Sequence, residues 1–247
     1  MRHNVRGAAG MALGLVFLAT TLAGAQELPK LPALDKILKP EQTAIVMVDF
    51  QNNFVAPKGE HYAQMEKQYR ETHVIDNAID LVKRARALGV QVIQVIEGYS
   101  DDYRELDWGN GADFHRAQIV RQAWKSSDWN TALYEPMKSD KDIVLSDRKT
   151  LNGFGGNGLD TILKSRGIRN VAVGGFTADV CVYATTLAGY DLGYRMFALT
   201  DAIVSADAPL TKEMMRYLYP KVSRPMTSES FLAMVPGKQA ATTDGKD

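Results

Sequence analysis

Short apolar runs and amphipathic segments alternate along most of the chain. The apolar runs are of the kind found in strands buried on both faces of a parallel sheet. They span residues 44–48, 90–96, 143–145, 171–173 and 194–199, with a last one at 222–226 that Pro225 places at an edge. Between them, apolar spacing predicts helices over residues 71–88, 159–166, 181–190 and 208–219, and Gly89 and Gly167 end the first two. This order predicts an α/β fold, a three-layer, Rossmann-like parallel sheet of about six strands with helices on both faces.

Cys181, the only cysteine, lies where the fourth apolar run passes into a helix. Gly174 and Gly175 break the run, and the helix begins near Cys181 with Asp179 or Thr177 as its N-cap. A thiolate at a helix N-terminus has a lowered pKa and is nucleophilic. A free cysteine is also commonly a small buried apolar residue. Position alone therefore leaves both interpretations open.

Three chemistry-bearing side chains follow the ends of predicted strands. Asp49 follows the first apolar run, Lys149 the third and Cys181 the fourth. Because parallel strands share one carboxyl edge, we expect the three to converge there. The carboxylate can take the thiol proton, the ammonium can stabilise the thiolate, and N–H groups at the helix start can bind an oxyanion. The alternative for Lys149 is an ordinary solvated cation.

A long aromatic-rich insertion follows the second predicted strand, over residues 100–140. It contains Trp108, Trp124 and Trp129 among many polar residues and lacks clear periodicity. Its place in the order puts it at the same edge as Asp49 and Cys181. It is either a lid or pocket wall, or an oligomer contact, and the sequence does not separate these interpretations.

Composition removes several classes of function. The 247 residues carry a formal net charge of +0, which gives no electrostatic basis for binding nucleic acid. One cysteine excludes an intrachain disulfide framework and a cysteine-rich zinc site. The four histidines show no metal-binding spacing and do not lie at strand ends. We expect neither a metal nor another cofactor.

The ends of the chain are predicted to lie outside the fold. Arg2 and Arg6, an apolar stretch over residues 8–19 and the A-x-A sequence at 23–25 make residues 1–25 a secretory signal peptide. Residues 26–41 are predicted to form an N-terminal arm, and residues 231–247 a flexible tail. We therefore expect an exported protein, periplasmic or secreted, that has no membrane contact after cleavage.

Four motifs in order make residues 42–230 resemble the isochorismatase-like cysteine hydrolases. The first strand ends in D-x-Q at Asp49-Phe50-Gln51. A basic residue, Lys149, precedes a segment similar to the family's S/N-A-F at 152–154. The nucleophile segment G-[VF]-x-[TA]-x-x-C-V matches residues 175–182, and a downstream strand motif matches residues 193–202. The last two matches are fairly specific.

The resemblance implies a catalytic triad and its surroundings. It implies Cys181 as nucleophile, Asp49 as general base and Lys149 as the third member. It also implies a cis peptide bond between Phe176 and Thr177, next to an oxyanion hole formed by backbone N–H groups that include that of Cys181. Family members cleave amide or related C–N bonds through an acyl-enzyme, and some hydrolyse a vinyl ether without the cysteine.

The chain departs from the family pattern in two places. The spacing from Lys149 to Phe154 is one residue short, so Arg148 is an alternative for the basic position, although an arginine does not readily donate a proton. Glu97-Gly98-Tyr99 stands where the nicotinamidase branch has a metal-binding histidine, which argues against a metal.

These features together predict a metal-independent hydrolase of a small amide, ureido or carbamoyl compound. The alternatives are a vinyl ether hydrolase and a non-catalytic secreted binding module on the same fold. The predicted substrate-contacting residues are Gln51, Phe54, Tyr99, Trp124, Phe154 and Tyr183, which favour a neutral or planar small molecule. Small residues in the Cys181 helix, the tryptophans of the insertion and the family resemblance predict a homo-oligomer.

Overall fold

The computed structural model describes residues 37–106 and 113–236. The predicted signal peptide, most of the predicted arm and residues 237–247 of the predicted tail lie outside this range, as does Trp108. The folded part is wider than predicted at both ends. Leu38 is buried and its N–H donates to Met234 O at 2.7 Å, while Phe231 and Val235 are buried in the core. The end of the arm and the start of the tail thus belong to the domain.

A six-stranded parallel sheet forms the centre of the domain, in the order β3-β2-β1-β4-β5-β6. The strands are β1 Thr43–Val48, β2 Gln91–Glu97, β3 Ile143–Arg148, β4 Asn170–Phe176, β5 Arg195–Val204 and β6 Arg224–Met226. Every residue of β1 and β4 is buried, as their apolar runs predict for central strands. The short β6, which contains Pro225, lies at an edge. The predicted fold class is confirmed.

Helices cover both faces of the sheet. They are α1 Asn52–Val55, α2 Tyr62–Thr72, α3 Val74–Leu88, α4 Asp113–Arg121, α5 Leu159–Ser165, α6 Cys181–Asp191, α7 Ala208–Tyr217, α8 Tyr219–Val222 and α9 Ser228–Leu232. Side chains of α2, α3 and α9 share one hydrophobic cluster with one face of the strands. Side chains of α5, α6, α7 and α8 share a second cluster with the other face. The sheet is therefore the middle of three layers.

Several predicted boundaries differ from those observed. The predicted helix 71–88 is the end of α2 followed by α3, because His73 takes a left-handed conformation with φ of 53° between them. Gly89 ends α3 in the predicted way, with φ of 79°. Strand β3 runs to Arg148 rather than stopping at Leu145, because it is an edge strand whose side chains alternate in burial.

The described part of the insertion packs on the domain's own core. Trp124 is buried, and a β-bridge joins Gln51 to Leu133. The Tyr134 N–H donates to Phe50 O at 2.9 Å. These contacts bring the insertion beside the carboxyl end of β1. Unlike Trp124, Trp129 is exposed. Among residues 37–106 and 113–236, no helix has the length and apolar character needed to cross a bilayer.

Gly175 sets the separation of β4 from β1 next to the predicted nucleophile segment. Its φ is +130°, and a Cβ added there would lie 2.0 Å from Val48 O. We expect Gly175→Ala to lower the free energy of unfolding by about 3 kcal/mol or more, because backbone strain and overlap add. Gly193→Ala is the control, since Gly193 has φ of +88° with open space around it and should lose about 1 kcal/mol. Urea denaturation of both variants measures this, and equal losses would contradict the close approach.

Candidate active site

Asp49 is held at the carboxyl end of β1 by its own backbone. Its φ is 58°, a left-handed conformation that aspartate tolerates better than most residues. The Asp49 N–H donates to Val95 O of β2 at 2.9 Å, so the turn is tied to the neighbouring strand. The carboxylate is buried and needs partners for its charge.

Cys181 is the first residue of α6, as predicted. The turn from β4 is held by Ala178, whose N–H donates to Val204 O at 3.1 Å and whose carbonyl accepts from Tyr219 Oη at 2.7 Å. The predicted N-caps are wrong: Val180 is the N-cap residue, and no side chain caps the helix. No capping side chain therefore occupies the backbone N–H groups at the start of α6.

The turn before Cys181 has the features expected of an oxyanion-binding segment. The Phe176–Thr177 peptide bond is cis, which confirms that implication of the resemblance. Within the described part of the chain, the N–H groups of Thr177 and Cys181 donate to no acceptor. Free backbone donors of this kind can bind an oxyanion.

Arg148 is the basic residue that faces Asp49. Its Nη2 lies 2.6 Å from both Asp49 Oδ1 and Oδ2, and 3.1 Å from Glu97 Oε2. Its Nη1 donates to the carbonyls of Thr150 and Leu151, the latter at 2.8 Å. The guanidinium is fully buried, and its charge favours the ionised form of the Cys181 thiol, which lowers the pKa of that group. The cation therefore lies at the centre of the predicted site.

The prediction that Lys149 faces Cys181 is wrong. Its Nζ donates to Gly98 O, pairs with Glu105 Oε1 at 3.0 Å and lies 5.6 Å from the centre of the Tyr99 ring. The Lys149 side chain is 37% exposed, at the rim of the site. Arg148 is the last residue of β3 and pairs with Glu97 of β2, so its side chain points inward and the next residue points outward.

Glu97 and its neighbours complete the buried network. Tyr99 is fully buried, and its hydroxyl donates to Glu97 Oε1. Gln51, expected to contact substrate, instead binds backbone: its Nε2 donates to Glu97 O at 2.8 Å and to Thr131 O at 3.0 Å. Its Oε1 accepts from the Glu97 N–H at 3.2 Å. Gln51 thus fixes the end of β2 rather than a ligand.

Burial dominates the electrostatics of this site. Desolvation raises the pKa of Asp49 although the charge of Arg148 opposes it. Burial, followed by the negative charge of Asp49, raises the pKa of the Cys181 thiol well above its usual value, against the lowering effect of Arg148. The expected lowering of that pKa by the helix N-terminus is therefore wrong. The resting site therefore contains a protonated thiol, whose sulfur lies within 4.8 Å of a carboxylate oxygen of Asp49.

A metal ion does not fit among these groups. Asp49, Glu97 and Cys181 offer ligand atoms that lie within 4.8 Å of one another, a spacing at which three donors can hold a cation. The guanidinium of Arg148 already binds both oxygens of Asp49 and one of Glu97. It supplies the positive charge that the acids require and takes up their lone pairs. We derive no chemical step through a metal.

The predicted aromatic walls fall into two groups on opposite faces of the sheet. Phe54 stacks on Phe176 at 5.6 Å and contacts Trp124 at 5.9 Å between ring centres. On the other face, Phe154 stacks on Tyr194 at 5.7 Å and Tyr183 packs against Tyr219 at 5.3 Å. Tyr99 is engaged with Glu97. A contact of these rings with substrate stays a prediction.

The family model described as "Isochorismatase domain" matches residues 43–230, which include every residue of this site. The chain belongs to the isochorismatase family. It is a hydrolase of that family by its match and by the names of its relatives.

Individual relatives agree with this membership. The ureidoacrylate amidohydrolase RutB of Acinetobacter baylyi is 28% identical over 179 residues, 68% of this chain and 73% of the relative. RutB of Klebsiella pneumoniae is 28% identical over 184 residues, 70% of this chain and 78% of the relative. A cysteine hydrolase from Pseudomonas syringae has a TM-score of 0.68 at 22% identity, covering 80% and 93% of the two chains. N-carbamoylsarcosine amidase from Thermoplasma acidophilum has a TM-score of 0.60 at 23% identity, covering 76% and 97%.

Sequence reasoning missed one residue of this isochorismatase-family site and left another as an alternative. Glu97 was assigned no role, and Arg148 was the alternative to Lys149 for the basic position. The signal for Glu97 is the one that revealed Asp49: a carboxylate at the end of an apolar strand needs a partner. The signal for Arg148 is its spacing to Phe154, which fits the family motif one residue better.

We expect the two basic neighbours to differ sharply when each is removed. Arg148→Met should raise the Cys181 thiol pKa and cost about 3–5 kcal/mol of stability, because it leaves buried carboxyls without their cation. Arg148→Lys keeps the charge and should recover part of both losses. Lys149→Met is the matched control and should leave the thiol pKa within about half a unit, since exposed pairs contribute little.

Thiol titration and urea denaturation of the three variants provide the measurements. A thiol pKa that rises in Lys149→Met and stays constant in Arg148→Met would contradict the assignment of Arg148 as the buried cation.

Proposed function

We propose that this protein is a metal-independent cysteine hydrolase that cleaves a C–N bond of a small amide, ureido or carbamoyl compound. One observation carries the proposal. A cysteine at the start of a helix has its sulfur within 4.8 Å of a carboxylate oxygen of Asp49, and the buried guanidinium of Arg148 binds that carboxylate. Nucleophile, base and fixed positive charge are thus within reach of one another.

The first half of the reaction transfers an acyl group to sulfur. Asp49 takes the thiol proton while Cys181 Sγ attacks the carbonyl carbon of the substrate. The developing oxyanion is bound by the N–H groups of Thr177 and Cys181. The C–N bond then breaks, and the leaving nitrogen takes the proton from Asp49 and departs as ammonia or an amine. The raised pKa of Asp49 suits this double role, because a more basic carboxylate takes a proton more readily and holds it until the leaving group needs it.

The second half returns the enzyme to its starting state. Asp49 removes a proton from water, and the hydroxide attacks the thioester carbonyl. The C–S bond breaks, the acid product leaves, and the proton returns to the sulfur. The guanidinium of Arg148 holds its charge throughout, because arginine is not deprotonated in proteins. It stabilises the anions of each step and moves no proton.

The substrate class rests on the relatives and on the rings around the site. RutB proteins are named for a ureido compound and the Thermoplasma acidophilum enzyme for a carbamoyl compound. Phe54 lies in α1, directly after the carboxyl end of β1, and its ring contacts that of Trp124 at 5.9 Å between centres. A neutral or planar small molecule fits such walls best.

The test is ammonia release from a panel of primary amides, ureido acids and carbamoyl compounds. Cys181→Ala should lose at least about a thousandfold in kcat, since it removes the nucleophile. Phe231→Leu serves as a control for a core change far from the thiol. A substrate should also protect Cys181 from iodoacetamide.

Two results would contradict the proposal. Activity retained in Cys181→Ala would indicate the vinyl ether chemistry of some family members. If no compound of the panel releases ammonia, and none protects a reactive Cys181 from iodoacetamide, a binding module would be favoured.

The export and assembly of the mature chain are further parts of this proposal. The arginines and apolar stretch of residues 1–25 support export, and α6 and α7 expose Leu187, Tyr190 and Tyr217, which supports association of copies. When the full-length chain is expressed, protein recovered from the cell envelope fraction should begin at Gln26, and light scattering should give a multiple of the mass of the cleaved chain. An uncleaved cytoplasmic monomer would contradict both parts.

A further inference from the structure

The buried site contains more acid than base. Asp49 and Glu97 are both buried beside the single guanidinium of Arg148, and Cys181 is a third acid within 4.8 Å. One positive charge balances one negative charge, so ionising both carboxyls leaves an uncompensated buried charge. The network is neutral only when one of the two carboxyls keeps its proton.

The geometry identifies Glu97 as the carboxyl that keeps it. Arg148 Nη2 contacts both oxygens of Asp49 at 2.6 Å but only Oε2 of Glu97, at 3.1 Å. The other oxygen of Glu97 accepts from the hydroxyl of Tyr99, and a tyrosine hydroxyl can also accept a hydrogen bond from a protonated carboxyl. With Glu97 neutral, Arg148 keeps both of its contacts with Asp49, and the buried charges balance.

Few other charges reach Glu97 from the elements around it. Asp49 follows β1, Arg148 ends β3, Tyr99 follows β2 and Cys181 begins α6. Beyond the Tyr99 ring lie Lys149, which is paired with Glu105, and His115, whose ring centre is 6.0 Å away. Within the described residues, Arg148 is the buried cation that Glu97 contacts directly.

We propose that Glu97 is a proton-holding positioning residue that switches the nucleophile. When Glu97 is neutral, the positive charge of Arg148 stabilises only Asp49 and the developing thiolate of Cys181. The ionised form of Glu97 adds a negative charge beside that sulfur, competes for the same guanidinium and opposes thiolate formation. The thiol part of this inference stands alone, and its effect on hydrolysis rests on the proposed function.

The direction of the pH effect follows from the charges. Burial, together with the charge of Asp49, raises the pKa of Glu97 to about 8 even though Arg148 opposes this. Below that pH the residue is neutral and the site is competent. Above it, Glu97 loses its proton, and the negative charge of Glu97 raises the pKa of the Cys181 thiol further. Hydrolysis should therefore show an alkaline limb with a midpoint near the Glu97 value.

The test compares iodoacetamide alkylation of Cys181 over a range of pH in the full chain and in Glu97→Gln. Glutamine reproduces the neutral acid, because its oxygen can accept from Arg148 and its amide can donate to Tyr99. We expect the thiol pKa to fall by about one unit or more, so that alkylation at about pH 9 is roughly tenfold faster. Glu105→Gln is the control at the rim, where the pKa of the acid is lowered to about 2, and its curve should match the unmodified chain.

A second variant tests the same network with the carboxyl in place. The Tyr99 hydrogen bond lowers the pKa of Glu97, so in Tyr99→Phe Glu97 should stay neutral to higher pH. The thiolate should then form more readily, and alkylation of Cys181 at about pH 9 should be faster than in the unmodified chain. Alkylation curves of Glu97→Gln that coincide with those of the unmodified chain, or an unchanged rate at about pH 9 in Tyr99→Phe, would overturn the inference.

The alkylation readout separates this inference from the proposed function, because it needs no substrate. A faster thiol in Glu97→Gln supports the switch even if no compound of the panel releases ammonia. Conversely, an active amidase whose alkaline limb persists unchanged in Glu97→Gln would overturn the switch and leave the hydrolase standing.

Discussion

The contact of Arg148 with two buried carboxyls is the interaction on which the site depends. It joins the ends of three strands, because Asp49 follows β1, Glu97 ends β2 and Arg148 ends β3. Burying these charges is costly, and their attraction offsets the cost only with good geometry and further hydrogen bonds. The carbonyls of Thr150 and Leu151 accept from Nη1 of Arg148, whereas its Nε has no hydrogen-bond partner among the described residues. A planar group with several donors can make all these contacts at once, whereas an ammonium is a point charge with fewer fixed directions.

The backbone around this cluster explains why the charged groups meet so closely. A register shift between Val95 and Glu97 brings Glu97 opposite Arg148 in the β2–β3 ladder. Gln51 uses its whole amide to hold the backbone of Glu97 against the insertion at Thr131. The insertion therefore belongs to the scaffold of the site. Its position at the carboxyl edge agrees with the pocket-wall interpretation. Its exposed Trp129 is available for the alternative, a contact with another copy of the chain.

Strand identity and site identity were predictable from the sequence to different degrees. Continuous apolar runs revealed the central strands and, through them, the convergence of Asp49 and Cys181. Strand β3 is an edge strand whose last residues are polar, so its apolar run ends at Leu145, before the strand does. The sequence pattern therefore did not reveal the alternation that turns Arg148 inward. Lys149 was chosen for its chemistry, but in a strand the neighbour of an inward residue faces the other way. The break at His73 was equally hidden, because no glycine or proline marks it.

The pKa of the Cys181 thiol could not be predicted from its position in the sequence, because the effect of burial on that pKa outweighs the effect of the helix N-terminus. A helix N-terminus and a nearby cation favour a thiolate, yet only 6% of Cys181 is exposed and an anionic neighbour lies beside it. The thiol is therefore held neutral until Asp49 can take its proton, and the nucleophile forms only as it attacks. Oxidants react with thiolates rather than thiols. The burial that delays ionisation of Cys181 therefore also makes its thiol less open to oxidation than an exposed thiolate.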